Sequence, residues 1–395
     1  MRLALSALAI LLTACTRTGP ELVPEAQEHD WSALIPLLDS AVAVGAAPGA
    51  VLGISWRGER FIYGTGRLGK DDRRRPDGRT VYDLASLTKV IALTPLMMQA
   101  VEAGRIDLDG PLSKPLREMA GTWADSVTIR QLLTHVSGLP AHRRLWELAP
   151  NGAAALDTVR STPLDTLPGA RTVYSDLGLI LLGTVIERVY DVPLDMAFQE
   201  RMAVPLGMTD TRYLPPTDWR RRIAPTEQDP WRGRMLRAEV HDENAAFLGG
   251  VAAHAGLFGS TEDLLRFGEW LVAVTRSEGT VLSGEEWLVD GSVAREFTRR
   301  QELVVGSSRA LGWDVPGAQL WQGLGIPASA VWHTGFTGTA IWVAPSHQLV
   351  IVLLANRVHP TRNNNRHVAL RREIASRIWR KIVGCTTVSP CGPTT

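Results

Sequence analysis

The sequence predicts an α/β (α+β) fold in which one antiparallel sheet is flanked by helices from the two ends of the chain, with a mostly helical lobe inserted between its strands. Runs rich in β-branched residues occur near both ends of the chain, whereas apolar residues recur at helical spacing through its middle. The chain has 395 residues, of which 45% are hydrophobic. This length allows one large two-lobed domain, and a cleft between lobes is a natural place for a functional site.

The first elements of the domain are predicted to be a helix and a hairpin. Apolar side chains along residues 31–44 fall on one face of a helix. The next run, AVLGISWRGERFIYGTGR, has two β-rich segments around Arg57-Gly58-Glu59, which is typical of a β-hairpin. A helix that begins at Ser86 follows.

The middle of the chain is predicted to be helical, and its end returns to strands. Helical spacing is clearest in TIRQLLTH, LGLILLGTVIERVY and TEDLLRFGEWLVAV. Near the end, TGTAIWVAP and HQLVIVLLAN are apolar runs joined through Pro345-Ser346, and residues 363–383 form a closing amphipathic helix. We therefore expect the first and last strands to share one antiparallel sheet.

The first 30 residues predict export and lipid anchoring. Residues 1–14 combine one positive charge with a short apolar stretch, as a signal peptide does. The run Leu12-Thr13-Ala14-Cys15 resembles a bacterial lipobox, which implies that Cys15 carries the lipid that holds the protein to a membrane. Thr16 stands where aspartate would favour the inner membrane, so the periplasmic face of the outer membrane is expected. A plain signal peptide cleaved nearby is the alternative.

Residues 15–30 are predicted to be a tether, residues 31–383 the folded domain and residues 384–395 a tail. The tail holds Cys385 and Cys391, which could close a small disulfide loop in an exported protein. The 42 basic and 41 acidic residues nearly balance, which gives no general electrostatic reason to expect a nucleic acid as a partner. The nine histidines are scattered, so neither a metal nor an organic cofactor is expected. The oligomeric state is left open.

The tetrad Ser86-Leu87-Thr88-Lys89 is the strongest catalytic signal. An i, i+3 pair at a helix start sets a hydroxyl one turn from an amine, as an activated serine nucleophile requires. The chain has only four lysines, and lysine, unlike arginine, can lose its proton. The structural alternative is a buried helix start with a lysine that extends to solvent.

Two other runs point to the same chemistry. The first, Tyr174-Ser175-Asp176, begins a predicted helix, and a tyrosine beside a serine-lysine pair can act as general base and acid. The second, His333-Thr334-Gly335, precedes a predicted strand, where small residues let a substrate lie along the strand edge. A core tyrosine and a glycine-rich turn with a hydrogen-bonded histidine are the structural alternatives.

Other histidines are expected to be structural. The run His241-Asp242-Glu243-Asn244 could be taken for a metal motif, but adjacent residues do not share one helix face. Hydrogen bonding in a loop near the cleft is the preferred interpretation. His254 is given the same interpretation, and His135 is expected to cap carbonyl groups at a helix end.

In this order, with a helical lobe between them, these motifs resemble the serine β-lactamase and penicillin-binding protein superfamily. The likeness is strongest to its class C branch, which includes D-alanyl-D-alanine carboxypeptidases and esterases. It covers about residues 31–383 and includes the strings TIRQLLTHVSGLP, PLGMTDT and LLANRVHP. The resemblance implies a β-lactamase/transpeptidase-like fold.

The resemblance further implies a serine hydrolase that cleaves an amide or ester, a β-lactam or a cell-wall D-Ala peptide, through an acyl-enzyme on Ser86. Lys89 would shuttle protons, and Tyr174 would act as base and acid. The oxyanion hole would be made by the backbone N–H groups of Ser86 and Phe336, the latter at the start of a strand. The substrate-binding positions would be Asp176, His333, Thr334 and Gly335.

Two positions depart from the commonest pattern of this superfamily. Asp176 stands where asparagine is usual, and its charge would hold Lys89 protonated and favour Tyr174 as the proton acceptor. His333 stands where β-lactamases carry lysine, and it would bind a carboxylate strongly only when protonated. The aspartate also weakens the case for an efficient β-lactamase, whose asparagine contacts the amide side chain of the antibiotic. A carboxylesterase of the same fold and a non-catalytic cell-wall-binding lipoprotein remain alternatives.

Overall fold

The computed structural model describes residues 30–277, 289–317 and 326–387. Its strands, in chain order, are β1 (Gly49–Trp56), β2 (Glu59–Gly66), β3 (Val81–Asp83), β4 (Arg212–Tyr213), β5 (Gln228–Asp229), β6 (Arg234–Met235), β7 (Leu257–Ser260), β8 (Val331–Thr334), β9 (Ala340–Ala344) and β10 (Leu349–Ala355). Its α-helices are α1 (Ile35–Ala43), α2 (Thr94–Glu102), α3 (Ile129–Leu133), α4 (Leu145–Leu148), α5 (Gly152–Ser161), α6 (Asp176–Tyr190), α7 (Leu194–Phe198), α8 (Glu243–Phe247), α9 (Thr261–Arg276), α10 (Gly291–Thr298) and α11 (His367–Thr387).

The main sheet joins the two ends of the domain. Its five strands run in the order β2-β1-β10-β9-β8, and each neighbouring pair is antiparallel. Strand β1 pairs with β10 from Ala50 opposite Ala355 to Trp56 opposite Leu349. The predicted fold class is therefore confirmed, and so is the shared sheet of the first and last strands. Strand β8 was not predicted, because its four residues, VWHT, are too few to show a strand periodicity.

Side chains along β1 and β10 point alternately to the two faces of the sheet, and each face packs against a different hydrophobic core. Leu52 and Ile351 belong to a core that the terminal helices α1 and α11 complete. Val51 and Val352 face the opposite way, into the larger core that includes α9 and the helical lobe. Helix α9 lies so close to the sheet that a Cβ added at Gly268 would come within 2.3 Å of the Val350 side chain in β10.

A second, short sheet supports the nucleophile region. Its strand order is β3-β7-β4, and β3 leads directly into the segment that carries Ser86. The helix that follows does not begin as a regular α-helix. It starts with a 3-10 turn over Ala85–Leu87 and a wider π-type turn over Lys89–Leu93, and only then continues as α2.

Several sequence predictions fall outside the described residues. These are the signal peptide at 1–14, Cys15, all but the last residue of the tether at 15–30 and Cys391 in the tail. Helix α11 runs to Thr387, so Cys385 lies within the last helix rather than beyond it. Among the helices that the structure describes, none is long and apolar enough to cross a membrane.

Candidate active site

The backbone turns sharply just before Ser86. Ala85 has a φ of +47°, in the left-handed region, which costs a residue with a side chain roughly 1–2 kcal/mol. The buried carboxylate of Asp83 supports this conformation, because its Oδ1 accepts a hydrogen bond from the Ala85 N–H at 2.9 Å. Backbone strain of this kind is typical of a residue that the surrounding structure holds for a function.

Ser86 and Lys89 meet as the tetrad predicts. The Lys89 Nζ lies 2.9 Å from the Ser86 Oγ. The same nitrogen donates to the His254 carbonyl oxygen at 2.9 Å and lies 2.8 Å from the Asp176 Oδ1. Lys89 is fully buried, so the interpretation of a lysine that extends to solvent is wrong.

The surroundings of Lys89 keep its amine protonated. Burial alone lowers the pKa of Lys89, but the negative charge of Asp176, together with Tyr174, outweighs burial and raises the pKa above its ordinary value. At neutral pH the site therefore holds an ammonium group next to the Ser86 hydroxyl. The structure supports the expectation that Asp176 holds Lys89 in its charged form.

Tyr174 completes the cluster. Its hydroxyl interacts with both Ser86 and Lys89, and its ring centroid lies 5.0 Å from the Lys89 Nζ. Burial raises the pKa of Tyr174; Lys89 opposes this effect without overcoming it. Tyr174 is thus a neutral phenol at neutral pH, although the expected tyrosine base would need a lowered pKa in the resting state.

His135 holds the segment that carries Tyr174. Its Nδ1 accepts a hydrogen bond from the Ser175 N–H at 3.1 Å, and its carbonyl accepts one from the Val173 N–H at 2.8 Å. The His135 ring lies 4.5 Å from the Tyr174 ring, centroid to centroid. The expectation that this imidazole caps helix carbonyls is therefore wrong, because the ring accepts from the neighbouring loop instead.

His333 and Thr334 form the end of strand β8, rather than a turn before a strand. His333 is 2% exposed, and neither ring nitrogen makes a hydrogen bond to the residues that the structure describes. Burial, followed by the charges of Lys89 and Arg309, holds the pKa of His333 well below its ordinary value. The His333 ring is consequently neutral. The expected strong binding of a substrate carboxylate required a protonated His333, so the structure does not support it.

The β8–β9 turn, residues 335–339, touches the nucleophile turn. Phe336 lies within it, so its expected place at the start of a strand is wrong; β9 begins only at Ala340. The Thr337 hydroxyl donates to the Asp83 carbonyl at 2.7 Å, and the Thr339 hydroxyl donates to the Leu84 carbonyl at 2.9 Å. Two touching turns thus carry the expected oxyanion donors, the N–H groups of Ser86 and Phe336. Neither N–H donates to a backbone carbonyl of the described residues.

A cavity of about 530 Å³ opens above these groups. Its floor includes Ser86, Tyr174 and Asp176. The walls are formed by His142, Arg144, Trp146, His241, Asp242, Glu243, Phe336 and Arg362, among others. A slightly larger cavity, about 630 Å³, lies at the end of α1 but is lined by none of the predicted catalytic residues. The chemistry therefore assigns the site to the cavity over Ser86.

The run His241-Asp242-Glu243-Asn244 is hydrogen-bonded as expected, and its first three residues line this cavity. Only His241 and Asp242 lie in a loop, because helix α8 begins at Glu243. The Asp242 carboxylate accepts from the Ala245 N–H and lies 2.9 Å from the His254 Nε2. Burial raises the pKa of Asp242, but its interactions with His254 and the Ala245 N–H outweigh burial and lower the pKa below its usual range. In the described part of the chain, no group of three or more His, Cys, Asp or Glu residues could hold a metal ion.

Two contributors were not predicted from sequence. Arg309 places its guanidinium carbon 5.3 Å from the Tyr174 ring centroid and pairs with Asp314 at 2.7 Å. His254 acts through its backbone carbonyl, which holds Lys89. Arg309 lies in a loop that carries no recognisable motif. Any residue can offer a backbone carbonyl, so the identity of His254 gave no indication of its role either.

Known proteins resemble this chain over most of its length. The family model described as Beta-lactamase matches residues 36–376. Relatives from Salmonella typhi and Salmonella newport, each named "Putative D-alanyl-D-alanine carboxypeptidase", are 32% identical over 320 residues, which is 72% of this chain and 71% of theirs.

Solved structures share the fold at lower identity. One described as a class C β-lactamase has a TM-score of 0.70 and 20% identity, over 93% of this chain and 99% of that one. An octameric penicillin-binding protein homologue from Pyrococcus abyssi has a TM-score of 0.68 and 21% identity, over 88% of this chain and 78% of that one.

Proposed function

The chain belongs to the β-lactamase family and is a hydrolase of the serine β-lactamase fold, and we propose that it works through an acyl-enzyme on Ser86. One observation carries this proposal: the Ser86 Oγ lies 2.9 Å from a buried Lys89 Nζ. A binding protein has no need for a buried cation next to a serine hydroxyl, so this observation also argues against the non-catalytic lipoprotein.

In the proposed first step, the Ser86 oxygen attacks the substrate carbonyl carbon. Tyr174 accepts the serine proton on its oxygen while it passes its own proton to the leaving group, so no base has to be ionised beforehand. Lys89 stays protonated and stabilises the negative charge that develops on the serine and tyrosine oxygens. This relay agrees with the raised pKa values of both groups.

The tetrahedral oxyanion would be held by the N–H groups of Ser86 and Phe336. Removing one such donor typically lowers kcat about 10²–10³-fold, so this interaction is a large part of the rate enhancement. Collapse of the intermediate breaks the bond to the leaving group and leaves an ester on Ser86. Water then attacks that ester, Tyr174 relays the proton back to the Ser86 oxygen, and the acid product leaves.

The preferred substrate is a peptide that ends in D-Ala-D-Ala. The support is the 32% identity to relatives that carry the carboxypeptidase name over most of both chains. A β-lactam, which presents a similar acyl group, is the second substrate of the same class.

A carboxylesterase is the other candidate, and one observation favours it. The neutral, buried His333 offers no cation where β-lactamases carry a lysine, so a substrate without a carboxylate would lose nothing at that position. A carboxypeptidase and a carboxylesterase would use the same nucleophile, Ser86, on different substrates.

We also propose that the protein is exported and anchored through a lipid on Cys15. The support is the sequence alone: a short apolar leader that ends in Leu-Thr-Ala-Cys. The active site would then face the periplasm, where cell-wall peptides are found.

Steady-state turnover separates these substrates. The purified domain is assayed with a D-Ala-D-Ala peptide, a penicillin and p-nitrophenyl acetate, alongside Ser86→Ala and the exposed control Ser126→Ala. Release of D-Ala that needs Ser86 supports the carboxypeptidase, and ester turnover alone supports the esterase. Equal turnover by wild type and Ser86→Ala would overturn the proposal.

A further inference from the structure

Phe336 carries an expected oxyanion donor on the short turn between β8 and β9. The turn has Gly335 on one side and Gly338, with a φ of +117°, two residues on. The Phe336 side chain is 49% exposed, so burial does little to fix it. On the N-terminal side, the Gly335 N–H donates to the Thr339 carbonyl at 2.8 Å. On the C-terminal side, the Thr337 hydroxyl binds the Asp83 carbonyl, and a second contact on this side holds the Phe336 carbonyl itself.

Arg357 holds that side. Its Nε donates to the Phe336 carbonyl oxygen at 2.7 Å, and its guanidinium carbon lies 4.4 Å from the Phe336 ring centroid. The Nη1 of the same group donates to the carbonyls of Arg362 at 3.1 Å and Asn364 at 2.9 Å. One planar guanidinium therefore ties the turn to the segment that follows β10.

Arg357 is unusual because it is a buried cation without a carboxylate partner among the residues that the structure describes. The residue is 7% exposed, and within the described chain no carboxylate lies within ion-pair distance of it. Burial lowers its pKa from the ordinary value, and Glu227 opposes this effect only through space. A buried cation whose hydrogen bonds end on carbonyl oxygens is costly, which points to a role beyond filling space.

A second contact joins Phe336 to the nucleophile turn. The His241 ring stacks on the Phe336 ring at 5.7 Å with an interplanar angle of 26°. The His241 N–H donates to the Asp83 carboxylate at 2.6 Å, and the same carboxylate accepts from Ala85. On the ring of the same residue, the His241 Nε2 lies 2.8 Å from the Glu227 Oε2. One cluster thus fixes both turns that carry the N–H groups.

We propose that Arg357 is a positioning residue of the oxyanion hole. By holding the Phe336 carbonyl, the guanidinium keeps the Phe336 backbone in the conformation that directs its N–H at the developing oxyanion. The inference rests on the proposed acyl-enzyme function and adds to it a residue that never touches the substrate.

Substitution of Arg357 should lower kcat more than it raises KM. A missing donor lowers kcat about 10²–10³-fold, and a donor that is only misdirected should lower it about 10–100-fold. KM should change by less than about threefold, because the interaction is strongest in the transition state. Arg357→Lys keeps the charge but loses the planar fork, so it should be impaired nearly as much as Arg357→Met.

The experiment measures p-nitrophenyl acetate hydrolysis and phenylboronic acid inhibition for the wild type, Arg357→Lys and Arg357→Met. A boronate adds to Ser86 and places an oxygen where the oxyanion would lie. Its affinity should therefore fall by about the same factor as kcat/KM. The matched control is Arg366→Lys, because Arg366 also donates to a backbone carbonyl, that of Val44, away from the cavity.

A purely structural role gives a different result. It would lower the thermal midpoint and the folded fraction, but the folded protein would keep its kcat and its boronate affinity. That result would overturn the inference while leaving acylation of Ser86 intact. If the wild type showed no Ser86-dependent turnover, the proposed function would fail and the inference with it.

Phe336→Ala provides a variant with little risk of unfolding, because the side chain is half exposed. It keeps the carbonyl that Arg357 binds and loses both ring contacts. We expect an intermediate fall in kcat and in boronate affinity, smaller than that of Arg357→Met. Unchanged values in Phe336→Ala together with unchanged values in Arg357→Lys would contradict the account.

Discussion

Lys89 carries a charge in a fully buried position because Asp176 lies 2.8 Å away. Breaking such a pair leaves the remaining charge uncompensated, which costs about 3–5 kcal/mol unless the group loses its proton. Asp176 therefore decides whether Lys89 acts as a fixed cation or as a base. A family resemblance alone leaves these two roles open.

Asp176→Asn tests which role Lys89 has. Without the carboxylate, burial dominates and the pKa of Lys89 falls, so the site loses its cation. We expect kcat/KM for p-nitrophenyl acetate to fall about tenfold or more. Asp191→Asn, at the far end of α6, serves as the control. A rise in kcat/KM would show instead that neutral Lys89 is the base.

The pH dependence of kcat/KM distinguishes the tyrosine relay from an ionised base. The pKa values of Tyr174 and Lys89 are both raised, so each group keeps its proton until a pH above its ordinary range near 10. We expect less than about a twofold change between pH 7 and 9. A mechanism that needs free amine or phenolate would instead give about a tenfold rise per pH unit.

At the scale of elements, the site depends on contact between two turns. Sequence reasoning identified the residues of both turns, but it could not show that hydroxyls of the β8–β9 turn bind carbonyls of the nucleophile turn. It also missed β8, because four residues are too few for a periodicity, and so it left His333 facing the substrate. Pairing with β9 turns that ring into the interior instead.

Gly335→Ala should disturb this contact. A Cβ at residue 335 would lie 2.5 Å from the Leu84 carbonyl oxygen, which is backbone and cannot move aside cheaply. We expect a loss of about 1–3 kcal/mol in the free energy of unfolding, measured in urea, and a lower kcat. Gly110→Ala is the control, because its Cβ would meet only the flexible Asp107 side chain. Equal effects of the two substitutions would show that the turns do not need this close approach.

At the scale of the whole molecule, the sequence predicted the architecture well because alternation and helical spacing are strong signals. Strand β1 pairs with β10 although they lie about 300 residues apart, as the matching apolar runs at the chain ends suggested. The environment of each site residue was harder to predict. The burial of His333, the hydrogen bond from Ser175 to His135 and the stacking of Arg309 on Tyr174 all depend on tertiary contacts that no local pattern encodes.

Cys15→Ser tests the predicted anchor of the whole protein. The substitution removes the thiol that would carry the lipid, so in a bacterial host the protein should move from the membrane fraction to the soluble fraction. Its mass should lack the added acyl chains, while esterase activity per folded molecule stays unchanged. Membrane retention of the variant would contradict a Cys15 anchor.

The central claim, acylation of Ser86, is tested most directly by intact-mass spectrometry with peptide mapping after brief exposure to a penicillin and to a D-Ala-D-Ala thioester. The account predicts a mass increase equal to the acyl group, mapped to the peptide that contains Ser86 and missing in Ser86→Ala. An adduct on another residue, or substrate turnover that Ser86→Ala retains in full, would contradict it.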